Sequence, residues 1–183
     1  AALNEKIINP QEEIFANGSI SIPNPYDPAK KSVFYDWKVH GMVDMRHALA
    51  VSSDVYFYTI GGGFGKIAGL GVRKINEYGS LFGFGEKTGV DLAGEESGMI
   101  PSPELKKILN PEDPVWRVGD TYNISIGQGD WQVTPLQMAA FTAAIANDGA
   151  KAKPHLLESF SDPETGEVFS YKRKESEDNV SVP

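Results

Sequence analysis

The chain has 183 residues, 40% of them apolar, which is enough to bury a hydrophobic core, although the unit need not be complete. Its 25 acidic and 17 basic residues give a net charge of -8, which argues against binding to the phosphates of nucleic acids or to an anionic membrane surface. Because the chain has no cysteine, it has neither disulfides nor thiolate metal sites.

The N-terminal segment is predicted to be the end of a helix. Residues 1–8 are expected to form its last turns, with its start before Ala1, and the helix stops at Asn9 because Pro10 disfavours helical backbone in the residue before it. The apolar run is too short for a signal peptide or a membrane-spanning helix. Residues 16–36 are rich in turn formers and predict loops and edge strands.

Two helices with a break between them are predicted over residues 42–62. Asp44 is a suitable N-cap for the first helix, and Ser53 or Asp54 for the second. The break contains a Ser-x-Asp triplet at residues 52–54. A loop held between two helices can present a hydroxyl and a carboxylate to a cleft, although Ser and Asp before an apolar helix also form an ordinary cap.

Two further helices and a hairpin follow. Apolar residues at helical spacing predict a helix over residues 72–82. The strongest helix signal lies at residues 134–148, where Thr134 is the predicted N-cap and proline occupies the first helical position. Apolar residues surround this helix nearly completely, so we expect it to be buried. Residues 153–174 predict a β-hairpin with a Gly-containing turn.

Several sequence blocks point in one direction when they are taken together. In chain order they are HG at residues 40–41, S-x-D-x-Y-F-Y at 52–58, FGFGEKTGVDLAGEESGMIPS at 82–102 and NISIGQGDWQVTPLQM at 123–138. Over residues 1–171 the chain resembles the transpeptidase domain of class B penicillin-binding proteins, of the elongation type similar to penicillin-binding protein 2. The resemblance implies an α/β fold, with an antiparallel sheet packed against helices beside a helical lobe. We expect this chain to be an incomplete copy of that domain, contributing helical lobe and a sheet hairpin.

The resemblance also implies a reaction and residues that perform it. Members of the family are peptidoglycan D,D-transpeptidases, which cross-link stem peptides through an acyl-serine and bind β-lactams. The family's S-x-N or S-x-D serine relays a proton to the leaving amine, and the third residue orients that serine and contacts the substrate. This implies Ser52 as the relay and Asp54 as the orienting residue. Gln128, in the GQG turn, is a further candidate for substrate contact, and no cofactor is expected.

Two motifs that the family requires are not found where they would act. No serine in the chain is followed three residues later by lysine, so the S-x-x-K nucleophile motif is absent. A K-T-G occurs at residues 87–89, but it precedes the GQG block, whereas the family's functional K-T-G follows that block, so we interpret Lys87 as a surface loop residue. We therefore expect an internal segment that is inactive alone, with S-x-x-K before Ala1 and K-T-G after Pro183.

The resemblance further implies partners and a location. Stem peptides and β-lactams would bind to the full protein, and the remaining parts of the same domain would pack against this segment. Exposed strand edges also predict self-association. The expected location of the parent protein is the extracytoplasmic face of the bacterial inner membrane, with this segment itself soluble.

Two alternative functions stay open. The absence of S-x-x-K favours a non-catalytic penicillin-binding-like module or scaffold. A related acyl-serine protein, such as a carboxypeptidase, a β-lactamase or a β-lactam sensor, is the other possibility. The residues that flank the segment would discriminate among these readings.

One group of residues near the break is considered as a zinc site. Some elongation-type relatives bind zinc with two Asp, a His and a Cys. Asp36 and His40 match two of these ligands, but Ala16 and Ser53 occupy the positions of the other Asp and of the Cys, and two ligands rarely hold structural zinc. We therefore assign no metal.

The tryptophans are assigned no ligand-binding site. They are interpreted as packing residues of the core: Trp37, Trp116 and Trp131.

Overall fold

The computed structural model describes residues 1–170, which form two compact units. Unit 1 comprises residues 1–77 and 101–130, and unit 2 comprises residues 78–100 and the chain from residue 131. In chain order the elements are β1 (Ile14–Ala16), β2 (Ser19–Pro23), β3 (Lys31–Tyr35), β4 (Gly41–Val43), α1 (Met45–Val51), α2 (Asp54–Gly62), α3 (Gly71–Leu81), α4 (Pro103–Leu109), α5 (Val118–Ser125), α6 (Pro135–Ala146), β5 (Ser159–Ser161) and β6 (Val168–Ser170).

All strand pairs of the described residues are antiparallel. Strand β1 pairs with β4, β2 pairs with β3, and β5 pairs with β6. The structure is therefore a mixed α/β fold with antiparallel strands, as the sequence predicts. The β5–β6 hairpin falls within the predicted residues 153–174, of which residues 171–174 lie outside the described part.

The first residues form a helical turn rather than an assigned α-helix. The amide of Ile7 donates to the carbonyl of Ala2 at 2.9 Å, and the amide of Lys6 donates to Leu3 at 3.1 Å. Lys6 has a φ of 54°. This pairing is the Schellman arrangement that closes helix C-termini, so the turn has the geometry of a helix end.

The core of unit 1 is built around helix α2. Its buried residues include Tyr56, Tyr58 and Ile60, and α5 contributes Tyr122. Two glycines of α2 allow α5 to approach closely. A β-carbon at Gly61 would lie 1.8 Å from the Ser125 hydroxyl oxygen, and one at Gly62 would lie 2.5 Å from the Tyr122 ring.

Helix α6 is less buried than its sequence predicts. Thr134 caps it, and its side chain accepts a hydrogen bond from the Gln137 amide at 3.1 Å. Only Gln137 and Ala144 are buried, whereas Met138 and Ile145 are 42% and 58% exposed. Residues 1–170 cover only one side of this helix, which is apolar on all sides, so its full burial stays a prediction for the complete domain.

Gln137 fixes the start of α6 within unit 2. Its side-chain nitrogen donates to the carbonyls of Glu86 at 2.8 Å and Ser97 at 2.7 Å, and its side-chain oxygen accepts from the Thr134 amide. The buried side-chain amide of Gln137 thus pairs with the backbone groups of Glu86, Ser97 and Thr134, which would otherwise lack partners among residues 1–170.

No helix in the described part of the chain is long and apolar enough to cross a membrane.

Two buried tyrosines of the unit 1 core give a matched test of its energetics. The Tyr56 hydroxyl is buried and has no hydrogen-bond partner among residues 1–170, whereas the Tyr122 hydroxyl donates to the Gly63 carbonyl at 2.6 Å. Because an unpaired buried hydroxyl costs free energy, we expect Tyr56→Phe to raise the free energy of unfolding by about 1 kcal/mol. Tyr122→Phe should lower it by about 1 kcal/mol, since it leaves a carbonyl unpaired. Urea denaturation measures both, and shifts of the same sign would contradict this account.

Candidate active site

The predicted site lies in the break between α1 and α2. Helix α1 ends at Val51 and α2 begins at Asp54. Ser52 lies in the left-handed region, with φ and ψ both 54°. Among the described non-glycine residues, only Lys6 and Asp148 also have a positive φ. Such backbone costs an L-residue about 1–2 kcal/mol. The surrounding contacts must therefore hold Ser52 in place.

A buried carboxylate holds the start of α2. Asp36, whose side chain is fully buried, accepts hydrogen bonds at Oδ2 from the Ser53 hydroxyl at 2.9 Å and the Val55 amide at 3.0 Å. Its Oδ1 lies 3.3 Å from His40 Nε2. Ser53 in turn accepts from the Tyr56 amide at 3.4 Å, as N-cap of α2. The first amides of α2, which have no partner inside the helix, are satisfied in this way.

An exposed tryptophan holds the end of α1. The Nε1 of Trp37 donates to the carbonyls of Val51 at 3.1 Å and Ser52 at 3.0 Å. Trp37 is 65% exposed, and its ring packs against the His40 ring in a T-shaped arrangement, with centroids 5.1 Å apart. Within residues 1–170, Trp37 is therefore not packed in the core, and its indole serves as a hydrogen-bond donor to carbonyls at a helix C-terminus.

The other two tryptophans agree better with packing roles. Trp131 packs against Phe84, with ring centroids 5.9 Å apart, and its ring lies next to Gly79. Trp116 is half-buried and donates to the Thr121 hydroxyl at 2.9 Å.

The two carboxyl groups at the break have opposite pKa shifts. Burial by itself raises the pKa of Asp36, but the hydrogen bonds from Val55 and Ser53 outweigh burial. With smaller contributions from the Asp54 amide and the His40 ring, they hold the pKa of Asp36 below its ordinary value. The pKa of Asp54 is raised by burial and then by the nearby Asp36 carboxylate, against a smaller opposing effect of His40.

The structure places the predicted site residues in two locations. Ser52 is exposed and Asp54 is half-buried, and no residue in the range 1–170 forms a hydrogen bond with the Asp54 carboxylate. Gln128 is exposed, and its backbone amide donates to Asn123 at 3.0 Å. It follows the end of α5 that packs at Gly61, whereas Ser52 precedes the opposite end of α2. Within the described part, no hydrogen bond joins Gln128 to the break.

Lys87 lies on an exposed loop, as interpreted from the order of the sequence blocks. The neighbouring Thr88 amide and hydroxyl and the Gly89 amide donate to the Glu95 carboxylate. These hydrogen bonds hold the loop closed upon itself.

A cavity of about 670 Å³ lies elsewhere in unit 1. Its walls come from β1, β2, α2 and the turn that follows α2, and they include Ile20, Val55, Thr59 and Ile67. Ser52 and Asp54 do not line it. The break between α1 and α2 is therefore not part of this cavity.

The comparisons with known proteins identify the family. The Penicillin binding protein transpeptidase domain matches residues 1–182. The chain belongs to the penicillin-binding protein transpeptidase family. It is 41% identical over 132 residues to the peptidoglycan D,D-transpeptidase MrdA of Acinetobacter baumannii and 35% identical over 159 residues to MrdA of Haemophilus influenzae. These matches cover 71% and 86% of this chain but 18% and 22% of the two relatives.

Solved structures of penicillin-binding proteins have the same fold. PBP2 of Pseudomonas aeruginosa in complex with WCK 5153 matches with a TM-score of 0.73 and 30% identity, over 92% of this chain and 37% of that one. PBP2 of Helicobacter pylori in complex with MreC matches with a TM-score of 0.68 and 32% identity, over 92% of this chain and 30% of that one. The predicted fold and the likeness to penicillin-binding protein 2 are thereby confirmed.

The four positions considered for zinc in the sequence, which are Ala16, Asp36, His40 and Ser53, do not fit a zinc ion. Asp36 and His40 hydrogen-bond to each other, the Ser53 hydroxyl donates a hydrogen bond to Asp36, and Ala16 offers no ligand. Within residues 1–170, no group of three or more His, Cys, Asp or Glu side chains is placed to hold a metal. A structural zinc takes four ligands, which this cluster does not supply.

The role of Asp36 in this transpeptidase segment was missed by sequence reasoning, which considered it only as a metal ligand. Its hydrogen-bond partners lie 17 and 19 residues away. The same holds for Trp37, whose partners lie 14 and 15 residues away. No local pattern predicts such contacts.

The lowered pKa of Asp36 predicts a pH-dependent contribution to stability. A carboxyl whose pKa is lower in the folded state stabilises the fold above its unfolded-state pKa, and this contribution is lost as pH falls through the folded-state pKa. We expect Asp36→Asn to lower the free energy of unfolding by about 2 kcal/mol at pH 7, because it removes a charged acceptor of buried hydrogen bonds. The difference should shrink as pH falls below 3.8, the ordinary value.

Urea unfolding from pH 7 to pH 2.5 measures this difference. Asp130→Asn is the matched control, since Asp130 is exposed. A difference between wild type and Asp36→Asn that is the same across this pH range would contradict the assignment of an ionised Asp36.

Proposed function

We propose that this chain is a segment of a peptidoglycan D,D-transpeptidase that cross-links stem peptides through an acyl-serine and binds β-lactams. Ser52 acts as the proton relay to the leaving amine, and Asp54 orients it. The observation that carries the proposal is the exposed Ser52 hydroxyl, held in left-handed backbone beside a half-buried Asp54, in a chain of this family. The two curated relatives described above are named as peptidoglycan D,D-transpeptidases.

The environment of Asp54 supports the proposal that a cation faces it in the complete site. No donor contacts its carboxylate in the described part of the chain, and burial and the Asp36 charge raise its pKa. A lysine ammonium would provide three donors and an opposite charge. The lysine of an S-x-x-K motif, which this sequence lacks, is the group that we propose for this place.

The exposed apolar face of α6 supports a second part of the proposal. Met138 and Ile145 are exposed on a helix that is apolar on all sides. We propose that the remaining parts of the transpeptidase domain cover this helix, and that the chain alone self-associates through it or through its strand edges. The proposed location of the parent protein is the extracytoplasmic face of the inner membrane. Gln128 remains a proposed substrate contact.

Fluorescent penicillin tests the proposed reaction. The 183-residue chain should show no covalent label on a denaturing gel, because it has no S-x-x-K serine. The longer transpeptidase that contains these residues should be labelled. In that protein, Ser52→Ala should lower the second-order acylation rate by about 100-fold or more, since proton transfer by a positioned side chain contributes about that much.

The control variant is Ser80→Ala, which removes an exposed hydroxyl from α3 and should leave the rate within about 2-fold of wild type. Stable labelling of the 183-residue chain would refute the reading of this chain as a segment without the nucleophile. An acylation rate that Ser52→Ala leaves unchanged would refute the role of Ser52.

A further inference from the structure

We infer that Asp36, Trp37 and His40 form a clamp that positions Ser52 and Asp54, and that Trp37 is a positioning residue for the reaction. This inference rests on the proposed function of Ser52. The clamp is defined here by these three residues, which lie in the segment between β3 and β4.

Trp37 acts on the α1 side of the break. Its indole N–H is shared by the carbonyls of Val51 and Ser52, at 3.1 and 3.0 Å. The two carbonyls flank the Ser52 residue, so the shared donor fixes the peptide planes on both sides of its left-handed backbone. Carbonyls at a helix C-terminus have no partner inside the helix, and the indole supplies one. A side chain that is 65% exposed contributes little by packing, so this donor role is the one that accounts for its position.

Asp36 acts on the α2 side of the same break. Its carboxylate binds the Ser53 hydroxyl and the Val55 amide, which fixes the residues on both sides of Asp54. His40 connects the two sides, since it contacts the Asp36 carboxylate at 3.3 Å and packs against the Trp37 ring in a T-shaped arrangement. One short segment thus holds the end of α1 and the start of α2 together.

The clamp touches the backbone around Ser52 but not its hydroxyl. None of the hydrogen bonds from the described residues to the clamp involves the Ser52 side chain or the Asp54 carboxylate. The clamp therefore leaves both reactive groups free to face a substrate while it fixes their direction. Loss of the indole N–H should change where the hydroxyl points more than it changes the stability of the fold.

Removal of the indole N–H tests the clamp in the longer transpeptidase that contains this chain. Trp37→Phe should lower the acylation rate by fluorescent penicillin about 10-fold or more, because small misplacements of a catalytic group are costly. Trp116→Phe is the matched control, since it removes an indole N–H that bonds the Thr121 hydroxyl away from the break. It should leave the rate within about 2-fold, whatever its effect on the unfolding temperature.

A second measurement uses NMR chemical shifts of the 183-residue chain, with a substitution at Trp37 that keeps the size of its ring system. Replacing the Trp37 side chain by a benzothiophene exchanges the N–H for sulfur. We expect the Ser52 Cα and Cβ chemical shifts to move away from left-handed values, while the shifts of residues in α5 stay unchanged. Addition of zinc chloride or EDTA should leave the unfolding temperature of the wild-type chain unchanged.

The outcomes separate the clamp from the proposed function. If Ser52→Ala impairs acylation and Trp37→Phe does not, the clamp is overturned and the role of Ser52 stands. If the benzothiophene leaves the Ser52 shifts in place, the positioning role of Trp37 is overturned. A zinc-dependent rise in unfolding temperature that requires His40 would overturn the metal-free clamp. If Ser52→Ala has no effect on acylation, the proposed role of Ser52 is overturned, whatever the chemical shifts show about the clamp.

Discussion

The hydrogen bonds to the buried carboxylate of Asp36 are the interaction on which the candidate site depends. Removing a carboxylate from water is costly unless donors replace the lost hydration. Asp36 receives the Ser53 hydroxyl and the Val55 amide, and it lies beside His40. These hydrogen bonds lower the pKa of Asp36 below its ordinary value despite burial, so the carboxyl group is ionised at neutral pH. An ionised acceptor at the start of α2 in turn determines where the residues 52–54 can lie.

The core beneath the break is built to keep α2 fixed. Gly61 and Gly62 let α5 pack so closely that any β-carbon at these positions would clash with Ser125 or Tyr122. The Tyr122 ring contacts Phe34 and Tyr58, with centroids 4.9 and 5.5 Å apart. A helix with this packing can carry strained backbone at its start, because the strain at Ser52 is small compared with the burial of several aromatic rings.

Local signals predicted the parts of this structure that local chemistry determines. Asp44, Ser53 and Thr134 are N-caps that bond to amides three residues ahead, so a short stretch of sequence is sufficient to find them. The blocks around residues 52–58 and 123–138 indicated the family, and the matched domain confirms it. These features need no knowledge of distant residues.

The remaining features depend on residues that are distant in sequence. Trp37 was expected in the core because large aromatics are buried on average, but its carbonyl partners make an exposed position favourable. Helix α6 was expected to be buried because it is apolar on all sides. Such a pattern shows that the helix needs covering, and it does not show which residues cover it. Asp36 was missed as an acceptor, since its donors come from a separate helix start.

The energetic coupling between Asp36 and Ser53 is the most direct test of the central claim. A double-mutant cycle with Asp36→Asn, Ser53→Ala and the double variant, measured by urea unfolding at pH 7, isolates this contact. We predict a coupling energy of about 1 kcal/mol or more, as for a buried hydrogen bond to a charged group. Effects that add to within about 0.3 kcal/mol would show that the two residues act independently, and they would contradict the account.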